Sequence, residues 1–308
     1  MKNVLKWIGI AAGILILIVV MYGGYIFMQA GSIMSKSYAD VKGKNIYVPS
    51  DSATIERGRY LVSSVGTCAG CHMPDLSGHE LDMGPFAFFS APNITFGKGG
   101  LPADYSIQDL DLAVRHGIKR DKTGMLIMPS FHLNRISDED LAAIYAYLKV
   151  APKVDVERKP FALGPIGKMV LVKGGLVNEA AVTDHSFKSP KRPEIAVTAE
   201  YGKYIAEIAC IGCHGPNYSG GPVFEGDPNW PPAANLTKHL KHYNYESFAN
   251  LMKTGIRADG TLVDTLAMPT SLTKLADSVD VAALWTYLSA LPEQQDASMD
   301  WHTILAKH

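Results

Sequence analysis

The chain has 308 residues, 47% hydrophobic and 19% charged, which is enough apolar content for ordinary buried cores in about two domains. That composition excludes a disordered or collagen-like chain. Lys and Arg total 29 against 30 Asp and Glu, and the formal charge of -1 offers no basic field for a phosphate backbone, so no nucleic-acid partner is expected.

In chain order, the first element is apolar. Trp7 to Met28 carries no charged residue over 22 positions. As a helix it would be about 33 Å long, enough to cross a hydrocarbon core of about 30 Å. The competing reading is a cleaved leader, for which Lys2 and Lys6 make a suitable start. The run is longer than the apolar stretch of about 7–15 residues that leaders use, and the sites that resemble cleavage points near Ala30 and Ala39 are poor. An anchor over residues 1–35, with its span at about 7–28, and a linker over 36–53 are therefore expected. Lys36, Lys42 and Lys44 follow the span much as Lys2 and Lys6 precede it, so charge does not orient it.

The remainder is an internal repeat. Cys68-Ala69-Gly70-Cys71-His72 and Cys210-Ile211-Gly212-Cys213-His214 lie 142 residues apart, and at that offset Ala91-Pro92-Asn93-Ile94-Thr95 faces Ala233-Ala234-Asn235-Leu236-Thr237. Further on, Arg115-His116-Gly117-Ile118 matches Lys253-Thr254-Gly255-Ile256, and Met128-Pro129-Ser130 matches Met268-Pro269-Thr270. Each copy opens with an amphipathic helix, around Glu56 to Leu61 and Glu200 to Ile205. Each closes with another: Ser137-Asp138-Glu139-Asp140 is a capping-box pattern ahead of Leu141, Ile144, Tyr145 and Leu148, repeated by Val281, Leu284, Trp285 and Leu288. Pro152 and Pro292 end these helices. The middles are rich in Gly, Pro and Asn and lack sustained alternation, which predicts loops with short helices near 107–116 and 245–254 and no sheet. The Pro-rich stretch 152–195 reads as an interdomain linker whose apolar piece, Met169 to Val172, packs along the surface of the repeat. The resulting division is 54–151 and 196–293 for the two copies and 294–308 for a tail.

All four cysteines belong to the two CxxC pairs, so no disulfide framework is available. A zinc ribbon would want its second pair about 15–20 residues on, whereas Cys71 and Cys210 are 138 residues apart by intervening count. A thioredoxin-like dithiol needs no adjacent His and would accompany a βαβ pattern, which is missing. Covalent haem attachment uses two thiols and an adjacent His as proximal ligand, which matches both sites. Two haems c are expected, on Cys68, Cys71 and His72 and on Cys210, Cys213 and His214.

A thioether is the expected ligand on the other face of each iron. Met128 follows Cys68 by 60 residues and Met268 follows Cys210 by 58, and these two carry a Met-Pro dipeptide in both copies, with Pro holding the backbone out of a helix. His79, His116 and His132 could displace methionine in the first copy, but none has a His counterpart in the second. Arg115 and Arg257 are candidates to neutralise haem propionates or simple surface charges, and Lys238, His239, Lys241 and His242 form either a docking patch or a solvated face.

Gly58-Arg59-Tyr60-Leu61-Val62, the two CxxCH sites, Ala91 to Thr95, Met128-Pro129, Ser137 to Leu141 and Tyr145-Ala146-Tyr147-Leu148 together resemble the membrane-anchored dihaem cytochromes c with tandem class I domains. These are similar to the cytochrome subunits of periplasmic quinoprotein alcohol and aldehyde dehydrogenases, and the likeness covers nearly all of residues 54–293. It implies a mainly α fold of two class I cytochrome c domains behind a transmembrane helix, with the body on the periplasmic side of the inner membrane. It implies electron transfer between a dehydrogenase or respiratory complex and an oxidase, quinone or soluble cytochrome, with no independent catalysis. The chain departs from that family in having two haem sites where those subunits often have three. The alternative is a haem enzyme acting on thiosulfate or peroxide, which needs an open or unusual sixth ligand position that the paired Met-Pro dipeptides do not leave.

Overall fold

The computed structural model describes residues 2–223, 226 and 229–297. Residues 298–308, most of the expected tail, lie outside them. With no charge between Trp7 and Met28 to hydrate, the N-terminal segment forms one helix, α1 (Lys2–Met34), longer than the expected span. Its apolar middle is exposed, whereas Ile26 and Ala30 in its last turns are buried. The Lys168 ammonium also lies 3.7 Å from the centre of the Phe27 ring. The helix therefore enters the body instead of hanging from a free stalk.

The first copy of the repeat is built from α2 (Ser52–Ser63), α3 (Cys68–His72), α4 (Ile107–His116), α5 (Ser130–Leu133) and α6 (Asp138–Val150). Between α3 and α4 lie β1 (His79–Asp82) and β2 (Ala87–Ala91), and the interdomain stretch contains β3 (Ala162–Leu163), α7 (Pro165–Val172) and α8 (Glu179–Val182). The second copy has α9 (Ala199–Ala209), α10 (Ile211–His214), α11 (Leu236–His239), α12 (Tyr245–Thr254), α13 (Thr270–Thr273) and α14 (Ser278–Leu288). In each copy the opening helix crosses the closing one at a glycine. A Cβ on Gly58 would run into the Ala143 carbonyl, and one on Gly202 into the Ala283 carbonyl, so only glycine permits the close approach.

Capping chemistry places the middle helices where the spacing predicts them. Ser106 with Asp109 and Asn244 with Ser247 form reciprocal capping boxes, and Gly117 and Gly255 end the two helices in the left-handed conformation. At α6 only half of the predicted box forms. The Ser137 hydroxyl accepts from the Asp140 amide at 3.0 Å, but the Asp140 carboxylate is taken by Arg57 at 2.8 Å, Arg192 at 3.0 Å and Tyr204 at 2.8 Å.

The two copies dock through an exchange of tyrosines. Tyr60 of α2 donates to Asp280 at the start of α14 (2.6 Å) and accepts from the Asp277 amide (3.0 Å). Reciprocally, Tyr204 of α9 donates to Asp140 at the start of α6 and accepts from the Ser137 amide (3.1 Å). Burial alone would raise both carboxyls. At Asp140 the hydrogen bonds and charge of Arg57, with Arg192 and Tyr204, win and hold it below the ordinary range. At Asp280 burial wins over the hydroxyls of Tyr60 and Tyr201, and its pKa is raised.

One expectation needs correction. The middle of the first copy does contain a sheet, an antiparallel ladder in the order β1-β2-β3 that pairs His79 with Ala91 and Ala87 with Leu163. β1 is largely exposed on both faces, so it shows no alternation; its turn is marked only by Gly84 at φ 58° and the Asp82 carboxylate accepting from the Gly84 amide. The apolar piece of the stretch 152–195 packs along the repeat as expected. Leu163, Leu171 and Leu176 join Ala30, Ala87 and Leu126 in a separate apolar cluster that ties the end of α1 to the segment leading into Met128.

Candidate haem sites

Each CxxCH sequence forms a short helix that ends in an unusual backbone path. Met73 (φ 67°, ψ 159°) and Gly215 (φ 82°, ψ 159°) leave the turns identically, and Leu76 and Tyr218 repeat a left-handed conformation three residues later. Gly78 and Gly220 follow, also left-handed, where a Cβ would strike the Ala91 and Ala233 carbonyls. Non-glycine residues with positive φ are costly, so their repetition at equivalent positions indicates a turn held in shape by its surroundings.

That path orients the imidazoles. The Nδ1 atom of His72 is 2.8 Å from the Pro92 carbonyl, and that of His214 is 2.8 Å from the Ala234 carbonyl. A ring bonded to a carbonyl through Nδ1–H presents Nε2 as its metal-binding nitrogen. Burial lowers both histidine pKa values, partly offset by the carbonyls, which keeps the rings neutral as ligation requires.

The acceptor carbonyls are themselves fixed by the residue after them. Asn93 accepts from the Thr95 amide (2.9 Å) and donates to the Val154 (2.7 Å) and Val156 (3.1 Å) carbonyls beyond α6. Asn235 repeats this with the Thr237 amide (3.0 Å) and the Gln294 carbonyl (3.0 Å) beyond α14. The Asn-x-Thr pattern is plain in the repeat, but its role in positioning a ligand is not, because its partners lie about sixty residues away in sequence.

The thiols sit on the same turns and are free. Burial pushes Cys68 and Cys210 up to about 12 and raises Cys71 and Cys213 as well. A redox dithiol needs an accessible thiolate, and burial works against one at Cys68 and Cys210, whereas Cys71 is exposed. Two thiols on one short turn, with an adjacent neutral imidazole offering Nε2, fit haem c in both copies.

Met128 and Met268 are half-buried and pack against the same apolar core as Cys68 and Cys210. The following Pro129 (φ −79°) and Pro269 (φ −73°) cap α5 and α13, so both methionines sit on irregular backbone that leads into a short helix. Each arm is pinned to the preceding helix, but from different positions: Ser130 Oγ, two residues after Met128, donates to the Ala113 carbonyl (3.0 Å), and Thr273 Oγ1, five residues after Met268, to the Met252 carbonyl (2.7 Å).

The other candidates are placed elsewhere. His79 is exposed on β1, His116 has its Nδ1 3.0 Å from that of His185, and His132 is buried on α5. Arg115 is neither surface charge nor a free partner for propionates. It is buried, paired with Asp111 and Asp138 at 2.9 Å, and donates to the Ile136 carbonyl. Arg257 bonds its own loop at Thr261 and Leu262. Lys241 caps α14 by donating to the Ser289 and Leu291 carbonyls, and Lys238 makes an exposed ion pair with Asp296 at 3.2 Å.

Comparison with known proteins agrees with this chemistry. Residues 53–148 match the family described as cytochrome C oxidase, cbb3-type, subunit III. The fructose dehydrogenase cytochrome subunit of Gluconobacter japonicus is 27% identical over 79% of this chain and 54% of its own length. The cytochrome c subunit of alcohol dehydrogenase (quinone) from Gluconacetobacter polyoxogenes is 28% identical over 79% of this chain and 57% of its own. A diheme cytochrome c-type protein of Cereibacter sphaeroides is 27% identical over 74% of this chain and 82% of its own. The chain thus spans a little over half the length of the two dehydrogenase subunits. By fold, attachment turns and relatives, the chain resembles the c-type cytochromes of class I fold and is similar to the cytochrome subunits of quinone-linked dehydrogenases.

Proposed function

We propose that this chain is a membrane-anchored dihaem electron carrier, divided into an anchor (1–35), two cytochrome domains (54–151 and 196–293) and the segments between and after them. Cys68 and Cys71 attach one haem c, with His72 and Met128 on its iron; Cys210 and Cys213 attach the other, with His214 and Met268. When bound, each haem supplies a one-electron couple. The protein holds each His ring by its carbonyl bond, and Met128 and Met268 would supply a soft thioether to the iron, which would favour the reduced state. The haem domains face the outer side of the cytoplasmic membrane and exchange electrons between a periplasmic dehydrogenase or respiratory complex and a downstream acceptor.

The observation that carries this reading is the repeated Nδ1-to-carbonyl bond, His72 to Pro92 and His214 to Ala234, on two CxxCH turns. Purified full-length chain is expected to contain two covalently bound haems; fewer than two overturns the dihaem assignment. Affinity capture from gently solubilised membranes is expected to bring a large periplasmic dehydrogenase as companion. Oxidase or quinol-oxidising subunits instead would move the chain into a respiratory complex.

A further inference from the structure

Each attachment turn is approached by a side chain from the methionine arm of the other copy. At Gly70, within the first CxxCH, a Cβ would lie 3.0 Å from Leu272 Cδ1 of α13. At Gly212, within the second, it would lie 2.7 Å from Cε1, 2.9 Å from Nδ1 and 3.3 Å from Nε2 of His132 on α5. His132 and Leu272 are equivalent residues, each four beyond its Met-Pro methionine. The two contacts form a reciprocal pair that differs in one side chain: one turn rests on an alkyl group, the other on an imidazole.

That imidazole is buried, 8% exposed, and its Nδ1 has no hydrogen-bond partner among the described residues. The Phe131 ring meets it edge-on, with centroids 4.9 Å apart, and fixes its orientation. Burial lowers its pKa to about 4, so the ring is neutral at physiological pH. A buried polar nitrogen without a partner is expensive where a leucine would serve, as Leu272 does across the pseudo-twofold.

Resting on the dihaem reading above, we infer that His132 is a positioning residue of the second haem site supplied by the first copy: it seats the Met128 arm on the second attachment turn and biases how electrons divide between the two irons. The effect is local polarity and packing at the Gly212 turn, since hydrogen bonding and burial around a haem tune its potential.

The test is a redox titration of the solubilised full chain, resolved into two components, with Met268→Ala identifying the component of the second iron. His132→Leu, the side chain of the other copy, is expected to change the electron-sharing equilibrium between the sites by about threefold to tenfold, the scale on which a buried polar group differs from an alkyl one, through the second component alone. His132→Gln is expected to keep most of the original balance. Moving the imidazole across, in His132→Leu with Leu272→His, is expected to transfer the change to the first component. An unaltered balance in His132→Leu overturns the inference, even if the melting temperature falls, because packing alone would then explain the residue. Loss of the second haem alone in either single variant supports it; loss of both haems in both single variants overturns it. A missing haem in the unmodified chain would instead overturn the dihaem reading.

Discussion

The two copies keep their attachment turns and diverge around their methionine arms. In the first copy Ile118 is 1% exposed and Gly117 and Gly124 pack against Glu179, Ala180 and Asn178 of the interdomain stretch, so closely that a Cβ on Gly124 would overlap the Asn178 amide. In the second copy the same turn is bare: Ile256 is 40% exposed, Leu262 60% and Leu266 76%. The Glu179 amide also bonds the Met125 carbonyl at 2.8 Å, and Leu126 lies in the cluster that includes Ala30 of α1. Duplication has thus retained the features that the proposed haem sites would use, the turn, the carbonyl clip and the Met-Pro arm. It has left the surroundings free to lock one arm to the anchor and leave the other open to solvent.

The sharpest way to break this comparison is to remove the methionines. Met268→Ala should open the second iron to carbon monoxide and lower its potential, and Met128→Ala should do the same at the first. Unchanged carbon monoxide binding and potential in either variant would remove that methionine as ligand. Association should be faster at the second site, whose arm is uncovered.

The interface carboxyls come next in size. Asp140→Asn leaves the Arg57 guanidinium buried without its anion and should cost about 3–5 kcal/mol in chemical denaturation. Asp280→Asn, which removes a carboxyl held by two tyrosine hydroxyls, should cost about 1 kcal/mol. The pH dependences should run in opposite senses. The lowered pKa of Asp140 contributes stability above its unfolded value of about 3.9 that is lost as pH falls through the folded one, and Asp140→Asn should flatten that acid limb. The raised pKa of Asp280 contributes stability that is full below about 3.9 and lost as pH rises through the folded value, a loss that Asp280→Asn should abolish.

What could be seen in the sequence follows from the range of the interactions involved. The helices at 107–116 and 245–254 were legible because their determinants, Ser106 with Asp109 and Asn244 with Ser247, lie within one turn. The CxxCH turns and the Met-Pro arms were legible because the repeat displays them twice. The hairpin was not, since an edge strand exposed on both faces has no period to read. The burial of Arg115 was also hidden: it depends on Asp138 and the Ile136 carbonyl, more than twenty residues on. The packing role of Leu163 and Leu171 requires the end of α1, some 130 residues earlier in the chain.

The covered arm should also be the more costly one to erode. Leu126→Ala empties part of a buried cluster and should cost about 2–5 kcal/mol. Leu266→Ala, on the bare arm, should stay within about 0.5 kcal/mol. Equal costs would mean that the second arm is covered in solution as well.

The asparagine clips give the finest comparison, because their geometry is the same and their surroundings are not. Asn93 is buried and its amide serves two backbone carbonyls, whereas Asn235 is half-buried and one of its two acceptors is the exposed carboxylate of Asp296. Replacing Asn93 with Ala strands those carbonyls away from water and should cost about 1–3 kcal/mol, while at Asn235 water can take the place of the lost amide and the cost should stay below about 1 kcal/mol. In both variants the carbonyl that holds the His Nδ1 loses its anchor, so each should also lower the potential or the carbon monoxide resistance of its own iron only. An effect on the opposite iron would mean that the clip acts through the interface between the copies and not through its own histidine.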